Sequence, residues 1–222
     1  MKSLISSTVT CIFLFFLVGP IQSNLFAQNN FEGKIIYAIT YTNMPPQMQG
    51  YENMLPKDLT VHIKGNKSRV EQKQMMGSNI IVSDLDKKTG FMEMDMGGQK
   101  LRLNITTEEF ISQSKIMSNI VYIDEAKTIV GYPCKKAIMS DSTGTRSMTV
   151  FYTEKIKNQA QAEFVGLKGF PLQYNVTQQN MTMEMIASEI SEESVSHDIF
   201  NKSDGYQDIT REDLQKMMGG GN

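Results

Sequence analysis

Two stretches of the chain alternate strictly in methionine: Met92-Glu93-Met94-Asp95-Met96, and Met181-Thr182-Met183-Glu184-Met185. A thioether can do two kinds of chemistry. It can ligate a soft ion such as Cu(I), or it can offer polarizable, adaptable surface to apolar molecules. On a β-strand successive side chains face opposite ways, so each row presents its three methionines on one face. Glu93 and Asp95 then share the other face of the first row, and the expectation is that these acids meet water while the methionines point inward. Burying one methionine is worth roughly 1.5–3 kcal/mol, which makes three exposed ones on a strand costly. A methionine-rich core, a cavity for apolar ligands and a copper site all fit this pattern. The cavity is favoured over plain packing because Val, Ile and Leu specify a β core more sharply than flexible methionine does.

The remaining chemistry-bearing residues add little. Copper sites commonly include imidazole, yet His62 and His197 lie in other runs and read as surface strand residues. Cys134 is the only cysteine beyond the first 27 residues, so no internal disulfide is expected, and within Tyr132-Pro133-Cys134 it reads as a small buried side chain beside a bend made by Pro133. The chain contains no Gly-x-Ser-x-Gly, His-Glu-x-x-His, Cys-x-x-Cys or phosphate loop, and it is read as a non-enzyme without metal or cofactor. A net charge of −2, no arginine cluster and no tryptophan argue against a nucleic-acid partner. The basic stretch from Lys64 to Lys73 reads as a solvated face.

The N-terminal segment has the three-part layout of a secretory signal: Lys2, the apolar run Cys11 to Val18, then Gly19-Pro20 and small residues up to Ala27. That run is too short to span a bilayer, which takes roughly 20 apolar residues, so no transmembrane segment is expected in the mature chain. Cleavage after Ala27, with Ser23 as the alternative, leaves residues 28–222 as a single domain, exported to the periplasm or beyond. No cysteine directly follows the apolar run, so a lipid anchor is not expected.

Over these residues the dominant period is two, from Gly33 to Thr42 onward through Met181 to Ile190 and Ser194 to Phe200. Gly65-Asn66, Lys87 to Gly90, Gly97-Gly98 and Asp141 to Gly144 punctuate the runs as hairpin turns. About eleven short strands in sequential hairpins make one antiparallel sheet, which at that size must curl, close or split. Capping boxes at Thr106/Glu109 and Thr210/Asp213 predict a helix from about Thr107 to Ile116 and another at the C-terminus. The proline-rich segment Asn43 to Pro56 is too long for a tight turn and suits a lid. The candidate ligand-binding set is Met92, Met94, Met96, Met181, Met183 and Met185 on the sheet, joined by Met44, Met48 and Met54 from that loop and by Met217 and Met218 from the last helix.

The order Phe31-Glu32-Gly33-Lys34-Ile35, Ile129-Val130-Gly131-Tyr132-Pro133-Cys134-Lys135-Lys136, Thr149-Val150-Phe151-Tyr152-Thr153 and Gly169-Phe170-Pro171-Leu172 resembles a family of exported bacterial proteins built on a domain of unknown function. That family is similar to LolA-like lipoprotein carriers. The resemblance implies an α+β fold in which an open half-barrel of about eleven antiparallel strands has helices plugging its concave side. It also implies a lipid or acyl chain as the partner held there. Those carriers open with an amphipathic helix, whereas only Gln28-Asn29-Asn30 precedes the first strand here. The alternative is an exported structural or protein-interaction module whose sheet is filled by its own side chains.

Overall fold

A computed structural model describes residues 31–75, 77–157, 161–178 and 181–217. The signal-like segment, Met218 and the terminal glycines lie outside the described residues.

Among the described residues twelve strands form a single sheet. They are β1 (Glu32–Thr42), β2 (Asp58–Lys64), β3 (Lys67–Gln74), β4 (Gly77–Asp84), β5 (Thr89–Met96), β6 (Gln99–Ile105), β7 (Asn119–Ile129), β8 (Tyr132–Ser140), β9 (Ser147–Thr153), β10 (Phe170–Gln178), β11 (Met181–Glu192) and β12 (Gln207–Ile209). Two helices, α1 (Thr107–Ser114) and α2 (Arg211–Met217), accompany it, with short 3-10 turns at Pro46–Met48, Glu52–Met54, Ala162–Phe164 and His197–Phe200. None of the described helices is long and apolar enough to cross a membrane.

The strand order is β12-β6-β5-β4-β3-β2-β1-β11-β10-β9-β8-β7. Two meanders, β1 to β6 and β7 to β11, are therefore joined edge to edge by the antiparallel pair β1–β11. Among the described strands only β12 runs parallel to its neighbour, pairing Gln207 to Ile209 with Leu101 to Leu103. The link from β6 to β7 dictates curvature. Ten strand spacings would separate those strands by ~48 Å in a flat sheet. One eight-residue helix and the few extended residues around it reach only ~33 Å. The sheet has to curl so that α1 can carry the chain across its inner face.

α1 forms where the sequence announces it. Thr106 Oγ1 accepts from the Glu109 amide at 3.3 Å while Glu109 Oε2 accepts from the Thr106 amide at 2.9 Å. Its Phe110 packs with Leu85, Ile105 and Ala162. The inner face elsewhere is filled by Ile35, Tyr37, Val61, Ala137, Met139, Val150 and Leu172, under a cover from the β9–β10 connection that supplies Ile156, Phe164 and Leu167. Phe164 meets Tyr174 edge-on at 5.0 Å, and Tyr174 meets Tyr37 at 5.8 Å. This half of the concave side is closed by the protein's own side chains.

Several expectations are corrected. The separate strands expected at Asn119 to Ile123 and Thr128 to Gly131 are one strand, Asn119–Ile129, with a bulge between Ile123 and Ala126 and Val130-Gly131 in the turn that follows. Pro133 does not break its arm: β8 is continuous, and Pro133 stands before the first β9 partner, Lys135, where no rung toward β9 is lost. Cys134 is buried and unpaired. Ser194 to Phe200 is no strand, because it crosses the outer face of β3–β6 and makes a 3-10 turn there. His197 consequently sits in a turn. β3 escapes period-two reading since KSRVEQKQ has a single apolar residue, Val70.

The largest correction concerns Glu93, expected in water and found fully buried. Its face of β5 is covered by the segment between β11 and β12. Val195 and Phe200 of that strap pack on Val82 and Phe91. Glu93 Oε1 accepts from Arg102 Nε at 2.9 Å and from the Ser203 amide at 2.8 Å, and Oε2 accepts from Ser203 Oγ at 2.7 Å. Further pins are Arg69 Nη1 to the Ile199 carbonyl at 2.7 Å, and Lys64 Nζ to the Val195 carbonyl at 2.6 Å. Glu32 bonds both Lys64 Nζ and the Val195 amide, which holds its carboxyl below the usual range.

Candidate functional site

Residues directly opposite one another in a ladder share a face. One such row runs Val61, Val70, Ile81, Met92, Leu103 across β2 to β6. Val61 in turn stands opposite Ile35 of β1. On the other side of β1, Ile39 faces Met185 and Tyr41 faces Met183. Ile35, Ile39 and Tyr41 alternate on one side of the same strand, so both methionine rows lie on the inner face of the sheet.

They do not meet there. Five strand spacings separate β5 from β11. Met185 is buried in the main core, with Met183 packed against it, and Met181 is half-buried beside them. Met92 and Met94 instead line a cavity of about 190 Å³ with Leu59, Val70, Gln72, Asn79 and Ile81. Every lining residue comes from β2 to β5, so the cavity is a depression in the sheet itself. Met94 is 8% exposed and Met92 half-buried, whereas Met96, at the end of the strand, is 48% exposed. The loop methionines Met44, Met48 and Met54 contribute nothing to the lining, and Met54 is exposed. Met217 on α2 is exposed as well.

A second relationship groups the remaining methionines. β1, β3 and β5 finish, and β11 begins, at the same end of the sheet, which is also where the 43–57 loop departs. Met44, Met48, Met54, Met75, Met96, Met181 and Met183 belong to that end. The turns at the opposite end, residues 64–67, 84–89 and 129–134, contain no methionine.

Five lining residues, Leu59, Val70, Gln72, Asn79 and Ile81, stand outside the set that the sequence suggested. Gln72 and Asn79 stand directly opposite each other across β3 and β4, and Asn79 faces Met94 across β4 and β5. Neither amide has a side-chain hydrogen-bond partner among the described residues. Alternation over Leu59-Val61-Ile63 and over Ser78 to Leu85 marks Leu59 and Ile81 as strand residues, whereas Val70 and Gln72 sit in the polar β3 and Asn79 flanks a turn.

The outer face holds a larger, polar trough of about 340 Å³ at the methionine-free end, bordered by Lys67, Asp84, Lys87, Asn104, Phe200 and Lys202. Asp84 lies 4.0 Å from both Lys67 and Lys87. His62 faces Lys34 and Arg69 across its two ladders, on this outer side of the sheet, and burial pulls its pKa down. No imidazole of β2 can therefore join the methionine rows. Among the described residues no group of three or more His, Cys, Asp or Glu could hold a metal ion.

The fold resembles that of a known structure. PNGF-II, in its P21 crystal form, superposes with a TM-score of 0.55 at 10% identity over 84% of this chain and 33% of that one. Its C2 form gives 0.50 at 12% identity over 84% and 32%. The chain thus spans about a third of PNGF-II, and at this identity the likeness establishes a shared fold alone. The Mycobacterium tuberculosis lipoprotein LppX superposes at a TM-score of 0.37, with 11% identity over 74% of this chain and 89% of that one, which is too loose to carry an argument. No protein-family model and no curated protein matches the chain by sequence.

Proposed function

We propose that this chain is an exported, non-enzymatic binding or carrier protein that holds an apolar molecule, a lipid or acyl chain, against the inner face of its curved sheet. The observation that carries this reading is the cavity over β2–β5. Leu59, Val70, Ile81, Met92 and Met94 supply five apolar walls there, while the rest of the inner face is filled by the protein itself. Adaptable methionine on the floor of such a depression suits ligands of varied shape. The methionine-bearing end, with Met96 and the 43–57 loop, serves as its mouth. The signal-like N-terminus supports export of the mature protein.

The second reading is a structural or interaction module with a self-filled core, and the packing of Met183 and Met185 within the main core favours it. Titration with a solvatochromic acyl probe decides between them, alongside native mass spectrometry of protein taken from its own compartment. The carrier reading expects one saturable site. Met94→Leu, which conserves volume, retains it, and a folded Met94→Glu variant loses it because an unpaired charge faces the ligand. Absence of saturable binding by folded wild-type protein leaves the methionines as packing and removes the carrier reading.

A further inference from the structure

The inner cavity has a polar centre. Gln72 and Asn79 lie side by side on its floor, flanked by Met94 in the next strand, and both are only half-buried. A carboxamide offers two N–H donors and a carbonyl acceptor. Neither side chain spends these on another side chain or on backbone among the described residues. The other five lining residues are apolar, and no Lys, Arg, Asp or Glu is present. The charged groups of β5 and β6, Glu93, Asp95, Lys100 and Arg102, face the opposite side, where the strap engages Glu93 and Arg102.

Size narrows the occupant. About 190 Å³ is below the ~300–1,000 Å³ of sites that enclose drug-sized molecules. It accommodates one short aliphatic chain, or the end of a longer one that leaves past Met96. A helix about 10 Å across does not fit.

Resting on the carrier reading, we infer that the ligand is a single-chain amphiphile with an uncharged hydrogen-bonding head, such as an alcohol, ester or amide, whose head meets Gln72 and Asn79 while its chain lies on Val70, Ile81, Met92 and Met94. A carboxylate or ammonium head would be taken partly out of water with no opposite charge to receive it, and such burial is unfavourable. A head with no polar atom would leave two amides covered and unpaired.

Calorimetric titration with 1-octanol and with octanoate at pH 8 tests this directly. The expected result is that octanol binds at least tenfold more tightly, and that octanoate binding strengthens as the pH falls through its own carboxyl pKa and the neutral acid forms. The paired variant Gln72→Leu with Asn79→Leu should lose roughly tenfold in octanol affinity, with an unchanged far-UV spectrum showing that the sheet persists. Octanoate binding as tightly as octanol at pH 8 would overturn the inference and leave the carrier reading standing, as would undiminished octanol affinity in the folded double variant. Failure of both probes to bind folded wild-type protein would overturn the two together. The probe comparison needs no variant, so it decides even if the double substitution does not fold.

Discussion

Glu93 and Arg102 stand directly opposite each other across β5 and β6, with Glu93 Oε1 2.8 Å from Arg102 Nη2, and their side chains are 0% and 8% exposed. The pair is held by a segment more than a hundred residues further along the chain, through Ser203, and the Tyr206 ring lies 5.6 Å from the Arg102 guanidinium.

Breaking this pair should be costly. Glu93→Ala leaves Arg102 buried beside the empty position and frees the Ser203 amide, so a loss of about 3–5 kcal/mol is expected. Replacing both residues by methionine should cost clearly less, since no uncompensated charge remains. Urea unfolding midpoints of the three proteins check the order. A double variant less stable than Glu93→Ala would contradict it.

The two methionine rows should respond differently to truncation. Met185 is 5% exposed within the main core, and Met185→Ala should destabilise by ~2–5 kcal/mol. Met96 is largely in solvent, and Met96→Ala should stay within about 0.5 kcal/mol of the parent. Thermal and chemical denaturation of the single variants measures both.

Alkaline pH should weaken the fold through Tyr37. The phenol is fully buried and donates to the Pro171 carbonyl at 2.6 Å, and burial pushes its pKa well above the ordinary phenol value. Tyr174 is raised for the same reason. The native state therefore keeps protons that the unfolded chain releases near pH ~10. Stability is fully present below that pH and declines as pH rises through and beyond it. Tyr37→Phe should cost about 1 kcal/mol at pH 7 and flatten the decline above pH 10. Unfolding midpoints from pH 7 to 11 with an unchanged slope in the variant would refute the assignment.

Val130 turns the β7–β8 hairpin in the left-handed region, at φ 46°, followed by Gly131 at φ 79°. A β-branched residue is strained there, whereas Asn-Gly is the preferred pair for two successive positive φ values. Val130→Asn should raise stability by about 1 kcal/mol, read as an increase in melting temperature. No gain would mean the turn relaxes in solution.

The order of elements was legible in local pattern. Alternation marked most of the strands, glycine-containing pairs marked their turns, and the Thr106/Glu109 and Thr210/Asp213 boxes marked both helix starts, because these signals depend on neighbours within a few residues. Alternation also put Met92, Met94 and Met96 on one face and Glu93 on the other. It could not say what would cover either face. The strap from Val195 to Ser203 settles that for Glu93: it returns from a distant part of the chain and carries the amide, hydroxyl and carbonyl that satisfy a buried ion pair. The five strand spacings between the methionine rows follow from β1 pairing with β11, a contact that closes the longest loop in the domain and leaves no mark on either strand's own period. Gln72 and Asn79 became neighbours only through the register of β3 on β4, where one residue of slip would have turned Asn79 to the face opposite Gln72.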